Sequence, residues 1–214
     1  MSIPTAKNIN AARCIFQKAE GWSYARSILS KYFQDHKSDT DIVTIAIKAI
    51  LINQLYFTNV REILPLARHL HEKREIHARI LKGDVKAVDE IARTTKNFRS
   101  FASKYAHFHN KDAFPIFDRY VERALCLLTG KGVGKTYADF HNAISQFKKG
   151  LNPQVSWEEL DTFLWLYGQK KVLDSNGKAT VNKEIKSLYE KQLEMFKLLE
   201  PPSATTPTST PSAV

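Results

Sequence analysis

The sequence predicts an all-α fold, a compact bundle of about nine to eleven helices packed orthogonally, followed by a disordered C-terminal tail. Three observations favour it. Only 8 of the 214 residues are glycine. The alternation of apolar and polar residues that is typical of strands is rare, and apolar residues recur at helical spacing instead. We expect residues 1–199 to form one helical domain and residues 200–214, rich in Pro, Ser and Thr, to be disordered.

Each helix follows from its apolar spacing and from the residues that end it. The first two are expected over residues 11–19 and 24–33. Residues 42–55 are apolar almost all round, so this helix, capped by Asp39 or Asp41, is expected to be the central and most buried one. Pro65 is expected to start or kink a helix over residues 60–71. The remaining helices are predicted over residues 76–81, 85–92, 98–108, 115–128, 137–147, 155–167 and 181–199, with glycines 83, 130, 150 and 168 as stops.

A strong positive charge is the main compositional feature of the chain. Lys and Arg outnumber Asp and Glu by 32 to 22, which gives a formal net charge of +10 and an isoelectric point near 9.5. Such an excess attracts polyanions, of which DNA, RNA and anionic membrane surfaces are the usual three. A solubilising surface without a partner is the alternative.

Other features bear on where the protein works. No stretch approaches the ~20 apolar residues of a membrane span, and no apolar run of signal-peptide length follows the N-terminus. Cys14 and Cys126 lie far apart in hydrophobic stretches, which suits buried, reduced thiols. We expect a monomer that is neither secreted nor bound to a membrane. Its expected location is the cytoplasm, including the nucleoid, or the nucleus.

The glycine-rich segment 130–136 has three interpretations. A nucleotide-binding phosphate loop needs four residues before its Gly-Lys-Thr and a preceding strand, whereas Gly130 leaves three and the preceding residues look helical. Gly132, Val133 and Gly134 followed by Ala138 fit a helix-hairpin-helix better. There, backbone N–H groups at a helix start would bind a DNA phosphate, with Lys131 and Lys135 adding charge. A plain interhelical turn is the third interpretation.

The histidines form no recognisable metal site in the sequence. The segment His71–Glu75 ends in glutamate where a zinc-protease helix has its second histidine. His107 and His109 are two residues apart at a helix end, so their side chains should diverge. We expect no metal and no cofactor, with both histidines at the surface or facing a nucleic acid.

The segment 114–121, Phe-Pro-Ile-Phe-Asp-Arg-Tyr-Val, carries the most promising chemistry. It places one carboxylate, Asp118, at the start of an otherwise apolar helix, where backbone donors keep an aspartate ionised. Such a group can orient water or stabilise the cationic sugar formed when an N-glycosidic bond is cleaved. The alternative is that Asp118 is only a helix N-cap.

Basic and aromatic residues alternate between residues 93 and 111. Arg99, Lys104 and Lys111 are predicted to contact phosphate, because basic residues neutralise a nucleic-acid backbone. Rings at helical spacing are expected to pack in the core rather than to stack on bases, namely Phe98, Phe101, Tyr105 and Phe108.

Three segments in order resemble the helix-hairpin-helix DNA glycosylase superfamily, the endonuclease III-like group. Residues 50–54, Ile-Leu-Ile-Asn-Gln, are similar to its early buried helix, residues 115–123 to the segment with its catalytic aspartate, and residues 164–168 to the close of its last core helix. The resemblance spans roughly residues 41–171. It implies a base-excision DNA repair enzyme without metal or cofactor, in which Asp118 is catalytic and Gln54 fills the gap left by a flipped base.

The chain also departs from that pattern. The Gly132–Gly134 hairpin follows Asp118 instead of preceding it, and the position of the family's nucleophilic lysine falls near Arg99 or Ser100, with Lys104 about a turn further along. The four-cysteine iron–sulfur loop is absent. The resemblance therefore implies a hydrolytic, monofunctional glycosylase, with a non-catalytic helical nucleic-acid-binding or interaction protein as the alternative.

Overall fold

The part of the chain that the structure describes is helical and contains no strand. It is a computed structural model that describes residues 2–95, 98–151, 154–175 and 181–202. The all-α prediction is confirmed, with twelve helices among these residues. They are α1 Ala6–Lys18, α2 Glu20–Asp35, α3 Ile42–Tyr56, α4 Ile63–Glu72, α5 Arg74–Leu81, α6 Val85–Thr94, α7 Arg99–His109, α8 Arg119–Thr129, α9 Tyr137–Lys149, α10 Trp157–Asp174, α11 Lys183–Lys191 and α12 Leu193–Lys197.

Side-chain caps set where several helices begin. Of the two predicted caps of α3, it is Asp41 whose carboxylate accepts a hydrogen bond, 2.9 Å long, from the Thr44 backbone N–H. Pro65 lies in the first turn of α4, where its missing N–H costs nothing. The helix predicted from residue 115 begins only at Arg119, because Asp118 is its N-cap in extended conformation. Residues 114–118 therefore approach α8 as a non-helical segment.

The C-terminal elements differ from the prediction in two ways. The single helix expected over residues 181–199 is divided into α11 and α12 at Gln192, whose φ of −135° and ψ of 41° are not helical. The disordered tail is predicted to start at residue 200, but Glu200 is held in place by ion pairs. Its carboxylate lies 2.5 Å from Lys170 Nζ and 2.7 Å from Lys171 Nζ. Residues 203–214 of that tail lie outside the described residues.

The most buried helix is α10, and the expectation that it would be α3 is wrong. On α3, Val43 is 63% exposed and Ile50 is 49% exposed. Every residue from Leu160 to Lys170 of α10 is buried, including the charged Asp161. Apolar residues all round a helix show that it can be buried, but the neighbouring helices decide which one is enclosed.

The close crossing of α8 and α10 depends on Gly168. A Cβ at this position would lie 2.2 Å from the Tyr120 carbonyl oxygen, so only glycine lets the two backbones approach this far. Gly168 was expected to end the helix, but α10 continues through it to Asp174. Asp161 and Trp165 precede Gly168 by seven and three residues and share its face of α10, the face that meets the start of α8.

Buried hydrophobic residues from Ile9 to Leu199 form one cluster. Of the rings predicted to be core, Phe101, Tyr105 and Phe108 are buried and Phe98 is 36% exposed. Cys14 is exposed and Cys126 partly buried, both as free thiols, so the expectation of burial is wrong for Cys14. Among the described helices, none combines the length and the apolar character that crossing a bilayer requires.

Candidate functional site

Asp118 caps α8 and also lines a small cavity. Its Oδ1 accepts a hydrogen bond, 2.7 Å long, from the Tyr120 backbone N–H, so the N-cap interpretation is confirmed. The cap does not exclude a second role, because Asp118 is only partly buried and faces a cavity shared with Lys104 and Asp161. The structure thus brings Asp118, Lys104 and Asp161, which belong to three different segments, to one place.

Lys104 is buried beside Asp118. Its Nζ donates to the Ser100 hydroxyl at 2.7 Å and lies 3.4 Å from the carbonyl oxygen of Phe117, the residue before Asp118. Burial lowers the pKa of Lys104, and the charges of Asp118 and Asp161 oppose that shift. The expectation that Lys104 contacts a backbone phosphate is wrong, because this residue is only 2% exposed.

Asp161 is a second carboxyl group on the far wall of the cavity. Its Oδ2 lies 3.3 Å from the Arg26 guanidinium of α2, whereas Oδ1 has no hydrogen-bond partner among the described residues. Burial raises the pKa of Asp161 to about 7, despite the opposing charges of Arg26 and Lys104. Asp161 can therefore exchange a proton near neutral pH.

Aromatic rings close the cavity on its other sides. The Trp22 ring centroid lies 4.9 Å from that of Trp165 and 5.6 Å from that of Tyr56, and Phe16 packs on Trp165 at 6.3 Å. Lys104 Nζ lies 5.3 Å from the Tyr56 ring centroid. The remaining cavity of about 30 Å³ has room for little more than a water molecule.

Arg99 contacts both the segment before Asp118 and the glycine-rich loop. Its guanidinium stacks 4.2 Å from the Phe117 ring centroid and donates to the Gly134 carbonyl oxygen at 3.4 Å. Gln54 is exposed in the last turn of α3, two residues before the Tyr56 that meets Lys104. Lys111 Nζ lies 2.8 Å from the Ser30 hydroxyl and 3.3 Å from Glu158, and its contact with phosphate stays a prediction.

The glycine-rich loop joins α8 to α9, and the backbone N–H groups at the start of α9 already have hydrogen-bond acceptors. Asp89 accepts hydrogen bonds from the backbone N–H groups of Tyr137 (2.7 Å) and Ala138 (3.2 Å). Asp139 accepts those of Lys135 (3.2 Å) and Thr136 (3.0 Å). The expectation that backbone donors here bind a phosphate is therefore wrong for residues 135–138, because carboxylates already hold them.

Four residues of this loop that are predicted to contact DNA lie at the protein surface. Lys131 and Lys135 are exposed, as are Gly132 and Gly134. The loop follows α8 rather than a strand, which removes the nucleotide-binding interpretation of the segment. A helix–loop–helix unit with exposed lysines remains.

His107 and His109 diverge, as predicted from their spacing. His107 Nδ1 lies 2.7 Å from the Phe114 carbonyl oxygen, whereas His109 Nε2 lies 3.0 Å from Asp39. The expectation that they lie at the surface is wrong, because His107 is 1% exposed and the His109 side chain 2%. Both side chains of α7 are therefore enclosed in the packed interior of the protein.

Sequence reasoning missed most of the cavity wall, which comes from α1, α2, α3 and α10. These residues are Phe16, Trp22, Arg26, Tyr56, Asp161 and Trp165. No motif joins them, because they meet only through helix packing. One signal was available: Asp161 and Lys104 are ionisable residues inside otherwise apolar helical segments, where a charge needs a partner or a function.

Two comparisons with known proteins match the chain. The family model HI_0787_N, described as an N-terminal domain, matches residues 8–113, which include Lys104 but not Asp118. An uncharacterized protein of Haemophilus influenzae is 32% identical over 142 residues, which is 62% of this chain and 70% of that relative. No solved structure matches the chain.

Proposed function

This chain belongs to the HI_0787_N family. We propose that it is a DNA-binding protein that cleaves the N-glycosidic bond of a damaged base. One observation carries the proposal. A buried lysine of lowered pKa, Lys104, and a helix-capping carboxylate, Asp118, line the same cavity under a wall of aromatic rings. An amine nucleophile needs a lowered pKa, and a cationic sugar needs a fixed negative charge.

The chemical step uses both groups. As the bond between C1′ and the base breaks, its electron pair leaves with the base, which takes up a proton, and Asp118 stabilises the positive charge on the sugar. Neutral Lys104 then forms a bond from Nζ to C1′ and loses a proton to solvent or to Asp161. The C1′–O4′ bond then breaks, O4′ takes up a proton, and C1′ and Nζ form a Schiff base. Water adds to C1′ and releases the abasic aldehyde and the free amine. Direct attack by a water that Asp118 orients, the monofunctional route, is the alternative first step.

The cavity must open for a base to enter. Its volume of about 30 Å³ is far below that of a nucleobase, so the rings around Lys104 have to separate. Trp22 and Tyr56 are only partly buried, and they are the rings we expect to move and then to stack on the flipped base. Gln54, exposed two residues from Tyr56, is positioned to fill the gap in the duplex.

Charge supports DNA as the partner. The formal net charge is +10. Arg99 contacts Gly134 in the α8–α9 loop, which also carries the exposed Lys131 and Lys135. Basic side chains here neutralise phosphates, so affinity should fall steeply with salt. Such contacts position the duplex without reading its sequence.

A non-catalytic nucleic-acid-binding protein is the second candidate. The closed cavity favours it, and so does the structural use of Asp118 Oδ1 as a helix cap. In that case, Lys104, Asp118 and Asp161 are a buried polar network that stabilises the packing of α7, α8 and α10.

The test is incubation of the full chain with oligonucleotides that each carry one damaged base, scored for abasic product. We expect Asp118→Asn, whose amide oxygen retains the cap, to lose about 10²–10⁴-fold in rate. Lys186→Gln, an exposed charge change on α11 away from the cavity and the α8–α9 loop, is the matched control and should retain most activity. Borohydride should trap a covalent adduct with the wild type and not with Lys104→Gln.

Each outcome is decisive. If no damaged base is released, the enzymatic proposal is refuted, and salt-dependent DNA binding would then favour the second candidate. Base release without an adduct would favour water as the nucleophile. Absence of DNA binding at low salt would refute both candidates.

A further inference from the structure

A second cluster of ionisable groups lies away from the cavity. Asp39, in the loop before α3, meets His77 of α5 and His109 at the end of α7. One donor atom from each lies within 4.8 Å of the other two. None of the three lines the cavity of Lys104 and Asp118.

The distances inside this cluster are short. His109 Nε2 lies 3.0 Å and His77 Nδ1 3.3 Å from Asp39 Oδ2. Neither ring nitrogen has a hydrogen-bond partner among the described residues, although both are buried atoms. The imidazole centroids are 4.7 Å apart with planes at 76°. Two imidazole nitrogens that converge on one carboxylate oxygen are arranged as ligands around a common centre would be.

Tetrahedral zinc sites have comparable dimensions. With ligand bonds of about 2.0–2.2 Å, neighbouring ligand atoms lie about 3.3–3.5 Å apart. The two distances to Asp39 are close to this range, and all three ligand atoms lie within 4.8 Å of one another, so small side-chain rotations would complete the arrangement. Imidazole nitrogens select zinc, cobalt and nickel over magnesium and calcium, which prefer oxygen ligands alone.

The surroundings resemble the support that metal ligands usually have. Lys48 Nζ donates to Asp39 Oδ1 at 2.6 Å, and Tyr105 donates its hydroxyl proton to Asp39 Oδ2. These contacts orient the carboxylate, as outer partners do in metal sites. The charge of Lys48 opposes a cation, but its hydrogen bond is on the oxygen that faces away from the imidazoles. The His77 side chain is 18% exposed, which provides a route from solvent.

We propose that Asp39, His77 and His109 bind one divalent transition-metal ion of the zinc type. A water completes the coordination. The ion ties the loop before α3 to α5 and to the end of α7, elements far apart in sequence. Its role is structural, because the ligands are almost enclosed and hold an irregular segment in place.

The test uses the full chain after removal of metals with a chelator. Zn²⁺ is added, excess is removed by desalting, and bound zinc is measured by elemental analysis. Thermal unfolding is followed with and without Zn²⁺, and Co²⁺ replaces Zn²⁺ to record the visible absorption of a four-coordinate site. We expect one retained equivalent, a higher unfolding temperature and a visible Co²⁺ spectrum.

Two variants make the result specific. His77→Gln removes the most exposed ligand, so the fold should survive, as circular dichroism will verify, and zinc affinity should fall at least about 10-fold. His36→Gln, an exposed histidine just before the same loop, should bind like the wild type. Equal zinc affinity of wild type and His77→Gln, or no rise in unfolding temperature with Zn²⁺, would overturn the proposal.

Discussion

Replacing Gly168 with alanine tests the helix crossing that positions Asp118. The new Cβ would lie 2.2 Å from the Tyr120 carbonyl oxygen, 2.8 Å from its carbonyl carbon and 3.0 Å from its Cα, all backbone atoms. Ordinary contact starts near 3.4 Å, so α8 and α10 must separate by about 1 Å. No side-chain rotation can relieve this clash.

The magnitude follows from two opposing effects. Overpacking costs about 1–3 kcal/mol, and a backbone clash belongs at the upper end. Alanine in a helix interior is favoured over glycine by about 1 kcal/mol, which offsets part of that cost. The net loss of about 2 kcal/mol corresponds to a decrease of roughly 4–8 °C in unfolding temperature for a domain of this size.

Thermal unfolding monitored by circular dichroism checks this value. Gly132→Ala is the matched control, because no atom lies within 4 Å of its Cβ and its φ is not in the left-handed region. We expect that variant to unfold within about 2 °C of the wild type. An unfolding temperature of Gly168→Ala at or above that of the wild type would refute the close crossing, since helix propensity alone raises stability.

Three further predictions concern charges and caps. Lys48→Ala should reduce the free energy of unfolding by about 3 kcal/mol, because it removes the buried ammonium that pairs with the buried Asp39 carboxylate. Lys31→Ala, in an exposed pair, should cost less than about 0.5 kcal/mol. Denaturant titration compares the two variants, and equal losses would contradict the burial argument. Asp89→Ala removes the acceptor for two N–H groups at the start of α9 and should cost about 1–2 kcal/mol in the same titration; no loss would mean that other groups cap this helix. Burial raises the pKa of Glu200, but the hydrogen bonds and charges of Lys170 and Lys171 outweigh this effect and lower the pKa in the folded state. The contribution of Glu200 to stability is therefore present above about pH 4.5 and is lost as pH falls through the folded pKa. Glu200→Gln should therefore unfold at a lower temperature than the wild type at pH 7, and the difference should shrink as pH falls below about 4.5. A difference that stays constant as pH falls would contradict this origin.

Local signals in the sequence identified most helices and missed where some of them end. Asp41 and Asp118 are caps that the pattern of apolar residues indicates, and α3 begins as predicted. Gly168 was misread as a stop, because a glycine chosen for a close tertiary contact looks the same in sequence as one chosen to end a helix. The division at Gln192 has no glycine or proline to mark it.

The candidate site was predicted in part. Asp118 was identified from its position before an apolar helix, and the structure adds that Lys104 and Asp161 share its cavity. Lys104 was assigned to a phosphate because a lysine beside aromatic residues resembles a nucleic-acid contact. Which side of α7 is enclosed depends on its neighbours, and those neighbours bury this lysine.

The sequence by itself determined the all-α class, the excess of positive charge and the position of the capping carboxylate, because composition, helical periodicity and capping are local properties. Only the tertiary structure decided that α10 is the central helix and that Lys104 meets Asp118 beneath aromatic rings. It also gathered Asp39, His77 and His109 from segments up to 70 residues apart. These arrangements depend on how helix faces pack against one another, and that packing is a property of the whole chain.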